Sequence, residues 1–179
     1  GAGWAAIDVA TNRAPTPGSL VVTPIIGDEL TTLFALVADK WTDSDGDLPM
    51  SFQFSFVDSG NGLGLTIVDS TEQTFVKSTL PSGSREPDAH GNESYALNMT
   101  LTVFDTLRAF DTAYTIISVR ELAKEDQTAA MLELLTAANE TGALQGTKKT
   151  ISVVSSVLNT VNCSNAPDCA VLHRASCAI

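Results

Sequence analysis

Basic side chains are scarce in this sequence. Ten Lys and Arg stand against 21 Asp and Glu, a net charge of -11 over 179 residues. Phosphate backbones call for a basic surface, so this balance excludes a nucleic-acid partner. It also argues against docking on anionic lipid. Aromatics are few (7 Phe, 2 Tyr and 2 Trp), which leaves little for stacking on sugars. Histidine occurs twice, at His90 and His173. No GxSxG, HExxH, P-loop or GxGxxG pattern is present, so no enzyme is expected. No apolar run approaches the ~20 residues that span a bilayer. Membrane attachment is expected only through parts of a polypeptide outside this segment. Gly1 in place of Met, and an end two residues after Cys177, read as an excerpt of a longer chain.

What is present begins with a 44% apolar content, enough for a buried core. The three cysteines, Cys163, Cys169 and Cys177, all fall near the C-terminus. Such clustering marks a disulfide module or, with His173, a Cys3His zinc site. The sequence Asn-x-Ser/Thr occurs at Asn92, Asn98, Asn139 and Asn162, each time without Pro in the middle. Sequons, clustered cysteines and few lysines together predict an extracellular or cell-surface glycoprotein. Asn98 and Asn139 are expected to carry glycans first. Asn92 and Asn162 follow, the latter because early pairing of Cys163 can sequester it.

Turn residues and period-two alternation predict about seven short strands, at 19–23, 29–38, 51–56, 63–68, 74–78, 93–104 and 109–120. The clearest is 51–56, where Phe52, Phe54 and Phe56 share one face and Ser51, Gln53 and Ser55 the other. In 93–104 the apolar positions Tyr95, Leu97, Met99, Leu101 and Val103 alternate with Ala96, Asn98, Thr100 and Thr102, so Asn98 points away from the core. After Arg120 the period becomes helical. Met131, Leu134, Leu135 and Ala138 form one face, with Asp126 as N-cap and Gly142 as stop. Ile151, Val154, Val157, Leu158 and Val161 form a second face. The expected fold is mainly β: an immunoglobulin- or fibronectin-like antiparallel sandwich over 1–120, an α-α hairpin over 121–161, and the start of a disulfide-rich segment over 162–179.

Asp43-Ser44-Asp45-Gly46-Asp47 is the densest run of carboxylates. Phe54 at the twelfth position rules out an EF-hand. An Asp/Gly turn and a calcium site on Asp43, Asp45 and Asp47 are the two readings left. Trp41, just before this run, reads as core rather than as a binding anchor. No cofactor is expected beyond N-linked glycans, with calcium at the acidic turn as the alternative.

Asn12-Arg13-Ala14-Pro15, Gly18 to Pro24, Gly27, Phe34, Trp41-Thr42-Asp43, Leu48-Pro49 and Phe52-Gln53-Phe54 together resemble the REJ (receptor for egg jelly) region of polycystin-1-like proteins, over about residues 9 to 120. Ala14 stands where that pattern has its first Pro, and Met50 and Phe52 stand where it has Leu and Tyr. The segment from Asn165 to Cys177 is similar to the start of an EGF-like module. The resemblance implies an immunoglobulin-like sandwich in a large, multi-module ectodomain, and carries over no ligand. Through the EGF-like pattern it also implies pairing of Cys163 with Cys177 and of Cys169 with a partner outside the segment. Loop lengths leave Cys163 with Cys169 equally open. The expected role is a structural or assembly module of a large extracellular glycoprotein, such as a flagellar-hair (mastigoneme) filament. Its partners would be neighbouring modules or other copies. The alternative is a ligand- or force-sensing ectodomain of a polycystin-1-like receptor.

Overall fold

The architecture was obtained as a computed structural model. The structure describes residues 3, 5–7, 11–57, 62–87, 93–141 and 144–160. Among the described residues, nine strands and two helices follow in the order β1 (Ser19–Thr23), β2 (Ile26–Asp28), β3 (Phe34–Asp39), β4 (Ser51–Val57), β5 (Gly64–Thr71), β6 (Phe75–Ser78), β7 (Ser84–Pro87), β8 (Glu93–Phe104), β9 (Phe110–Arg120), α1 (Lys124–Thr141) and α2 (Leu144–Thr160).

They form two sheets. The smaller has the order β1-β3-β6, and the larger β2-β9-β8-β4-β5, with β7 pairing the start of β8. Period-two alternation drives each strand to bury one face. Phe52, Phe54 and Phe56 of β4, and Leu97, Met99, Leu101 and Val103 of β8, meet Leu20 and Val22 of β1 and Phe34 and Leu36 of β3 in one core. All ladders are antiparallel except β2–β9, which is parallel.

Two departures from the sequence expectations are instructive. The expected strand 29–38 is a strand only from Phe34, as β3; β2 lies before it at Ile26–Asp28, and a corner at Glu29 and Leu30 stands between the two. Leu30 takes a left-handed backbone (φ 59°) while its side chain is buried. That conformation is costly for a branched residue, so the packing around it must hold it. The strand β7 was not expected, since four residues ending in Pro give no alternation to read.

The helices belong to the same hydrophobic core as the sheets. Met131 of α1 and Val153, Val154 and Val157 of α2 are buried in it, and Leu134, Leu135 and Leu158 pack against it. α1 begins at Lys124, two residues before the expected cap. Asp126 lies in its first turn beside Glu125, where negative charge complements the helix dipole. The amides of Asp126 and Gln127 both donate to the Ala123 carbonyl. Gly142, the expected stop, and Val161 lie outside the described residues.

α2 also closes one side of the sandwich. β5 ends the larger sheet and β6 ends the smaller one. Ser152 Oγ donates to the Thr66 carbonyl on β5 at 2.8 Å, and Lys149 Nζ donates to the Lys77 carbonyl on β6 at 2.6 Å. α2 thus packs along the β5 edge and reaches the β6 edge through the Lys149 side chain, binding carbonyls that would otherwise be open for pairing with another chain. Its partial burial there lowers the Lys149 pKa below the ordinary lysine value.

Candidate functional site

Three places carry the polar chemistry of the described residues. The first is the joint between sandwich and helices. Glu29, carried into the interior by the β2–β3 corner, is completely buried. Its Oε2 accepts from the Ser82 amide at 3.1 Å. Its Oε1 accepts from the Leu122 amide at 2.9 Å and from Gln127 Nε2 at 2.6 Å. A single carboxylate therefore ties the β6–β7 connection, the segment leaving β9 and the first turn of α1. The Glu29 amide itself donates to the Arg120 carbonyl, and that of Leu30 to the Leu80 carbonyl. Next to this joint Gly83 lies against the Tyr95 carbonyl so closely that any Cβ would collide with backbone. A buried carboxylate is tolerable only when it is hydrogen-bonded, and here three donors reach its two oxygens.

The second place is the acidic end. Asp43 Oδ1 accepts from the amides of Asp45, Gly46 and Asp47, at 2.9, 3.0 and 3.4 Å. Gly46 supplies the positive φ (80°) that the turn needs. Asp45 Oδ2 accepts from the Arg13 amide at 2.8 Å. Asp105, buried in the β8–β9 turn, accepts from Asn12 Nδ2 at 2.6 Å and from the Ala109 amide at 2.9 Å. The amide of Thr106 donates to the Asp47 carbonyl. Asn12 and Arg13 thus strap two turns together, and the Thr16–Thr42 bridge continues the strap. Trp41 is buried and donates from Nε1 to the Ser19 carbonyl at 3.3 Å, with Gly18 packed on its ring. Asn12, Arg13, Gly18, Trp41, Thr42 and Asp43, part of the pattern on which the REJ resemblance rests, are therefore brought together here and hold turns.

The same acids do not gather as a metal centre. Among the described residues, no three His, Cys, Asp or Glu side chains are placed to share a metal ion, and this includes Asp43, Asp45 and Asp47. Asp43 Oδ1 and Asp45 Oδ2 are committed to backbone amides instead. Asp43 Oδ2 is buried and lacks a hydrogen-bond partner. Partial burial and then the Asp43, Asp105 and Asp45 carboxylates raise the Asp47 pKa above its ordinary value.

The third place is the outer surface where sequons lie. Asn98 on β8 and Asn139 on α1 are both exposed. Asn92, Asn162, His90, His173, Cys163, Cys169 and Cys177 lie outside the described residues. So does the whole of 162–179, where the EGF-like start was expected. A groove between β5 and α2 is lined by Thr66, Ile67, Asp69, Lys148, Ile151 and Ser152. Sequence reasoning missed Glu29 because its partners lie 53, 93 and 98 positions away. The available signal was a lone acid at the first position of the expected strand 29–38.

These features define an antiparallel β-sandwich closed along one side by its own helical hairpin. The chain belongs to the REJ domain family, whose model matches residues 2–166, across both sandwich and hairpin. REJ domains are ectodomain segments of polycystin-type receptors, which places the chain on the extracellular side. Among curated proteins none matches it. A solved structure described as "Structural basis for the promiscuous specificity of the carbohydrate-binding modules from the beta-sandwich super family" is similar at 16% identity and TM-score 0.43. The likeness covers 64% of this chain and 37% of that one. The PKD1 domain of Vibrio anguillarum Epp is similar at 19% identity and TM-score 0.37, over 63% of this chain and 100% of that one. No helix among the described residues is long and apolar enough to cross a membrane.

Proposed function

We propose that this chain is a non-enzymatic structural module of a large extracellular glycoprotein, serving assembly in a filament of the flagellar-hair (mastigoneme) type. The observation that supports it most is the joint. Glu29 and the shared core make the hairpin one body with the sandwich, so force applied at either end meets no loose hinge between β9 and α1. In this reading N-linked glycans solvate the surface, and neighbouring modules or other copies are the partners. The segment 162–179 then acts as a stapled link, with Cys163 bonded to Cys177 and Cys169 bonded to a partner beyond the segment. Peptide mapping without reduction checks that pairing.

Membership of the REJ family also fits a second reading, a ligand- or force-sensing ectodomain of a polycystin-1-like membrane receptor. Immunogold labelling with an antibody against this chain separates the two. Label along detached surface filaments supports the assembly role. Label confined to the cell membrane overturns it in favour of the receptor.

A further inference from the structure

The outer face of the larger sheet is not uniformly polar. On β9, Tyr114 and Ile116 are 74% and 67% exposed, and Ile26 on the neighbouring β2 is 58% exposed. Cross-strand partners share a face, and the register sets Asn98 opposite Ile116 and Thr100 opposite Tyr114. Ser118, the next outward position on β9, pairs with Ile26. Asn98 and Thr100 of the sequon Asn98-Met99-Thr100 therefore lie along this apolar strip, while Met99 between them is buried.

We infer that Asn98 is an N-glycosylation site whose innermost sugars lie on Tyr114, Ile116 and Ile26 and form the missing cover of this sheet face. This rests on the extracellular reading above. The amide nitrogen Nδ2 of Asn98 bonds to the anomeric carbon of the first N-acetylglucosamine of a lipid-linked oligosaccharide pyrophosphate. The carbon–oxygen bond to the lipid pyrophosphate breaks, that pyrophosphate leaves, and the amide proton is lost to solvent. Directly opposed side chains have Cβ atoms about 4.5–5.5 Å apart and diagonal ones about 7–8 Å, so a sugar rooted on Asn98 starts within contact of Ile116 and Tyr114. The apolar face of the sugar ring suits the Tyr114 ring, and its hydroxyls remain in water. Asn139 offers the contrast. It too is exposed, but Thr136 and Glu140 beside it on α1 are exposed polar residues. Of the described residues of α1 only Leu132, two turns away, is a largely exposed large apolar side chain, so a glycan there meets one such residue rather than a strip.

The test uses the full chain secreted from a eukaryotic host, with glycopeptide mass spectrometry for occupancy. In a variant keeping only the Asn98 sequon (Asn92→Gln, Asn139→Gln and Asn162→Gln), complete enzymatic removal of the glycan should lower the melting midpoint by about 2–4 °C. It should also raise binding of a dye specific for apolar surface. Trimming to a single N-acetylglucosamine should preserve most of both properties. Adding Tyr114→Thr and Ile116→Thr should abolish the difference between glycosylated and stripped protein. An occupied Asn98 whose removal changes neither melting nor dye binding overturns the inference and leaves the extracellular reading intact. So does a vacant Asn98 beside an occupied Asn139 in the unmodified chain. Vacancy at both sites overturns the inference and the extracellular reading together.

Discussion

Glu29 shows how much one residue can hold in this fold. Its carboxylate gathers a loop amide, the amide of Leu122 and the side chain of Gln127, and shortening it strands all of them. Each buried donor left unpaired costs about 1–3 kcal/mol, so Glu29→Ala should destabilise the chain by at least ~3 kcal/mol in urea unfolding. Gln127→Ala removes one donor and leaves the others in place, and should cost about 1 kcal/mol. Equal losses for the two variants would show that the amides carry nothing. Asp47 acts in the opposite direction. Its pKa is raised above the ordinary 3.8 by partial burial and by its neighbouring carboxylates. A group raised in the folded state favours folding below its unfolded pKa and loses that contribution as pH rises through the folded value. At neutral pH the ionised Asp47 is therefore a burden. Asp47→Asn should melt higher than the parent at pH 7, and the difference should disappear as pH falls below 3.8. A gain that persists unchanged into acid would argue against the electrostatic cause.

At the scale of elements, α2 does two jobs with one surface. Val153, Val154 and Val157 fill the core, while Lys149 and Ser152 cap carbonyls on β6 and β5. Val157→Ala should cost roughly 2 kcal/mol by opening a cavity. Lys149→Glu should cost less in stability, because the site is partly exposed, but it sets an acceptor against the Lys77 carbonyl. That change opens the β6 edge, so light scattering on storage should rise more for Lys149→Glu than for Val157→Ala. The reverse order would mean that α2 protects the core alone. How far these elements could be read from sequence depends on where their signals lie. β8 matches its expected bounds and β4 differs by one residue, because each alternates cleanly over at least six positions. The helical face holding Val154 and Val157 was legible for the same reason. β2 and β7 were not, being three and four residues long and defined only by their partners. The acidic turn was legible as a turn, since Asp43 and Gly46 carry their own geometry. The use of its oxygens on Arg13 and on local amides depends on a strap from a distant part of the chain.

For the whole molecule the question is whether sandwich and hairpin are one thermodynamic unit. Each alone leaves an unsatisfied surface. Without the helices, Ile67 loses cover, the β5 and β6 carbonyls bound by Ser152 and Lys149 open, and Glu29 loses its Gln127 donor. Without the sandwich, the valines of α2 face water, and β-branched residues give a helix little intrinsic support. Neither part has a stable state that does not use the other, which predicts a single cooperative transition. The helices report through circular dichroism at 222 nm. Trp41 reports the smaller sheet through fluorescence, because its ring is buried beside Gly18 and its Nε1 is bound to the Ser19 carbonyl. With Trp4→Phe, Trp41 is the single tryptophan, since the chain has two. Urea titrations followed by both signals should coincide in midpoint and slope. Glu29→Ala should shift both curves to lower urea together, because the joint belongs to both parts. A helical signal lost well before the Trp41 signal would make the hairpin a separate, weaker unit. A stretched chain would then yield first at the segment between β9 and α1, and the load-bearing role proposed for this module would fail with it.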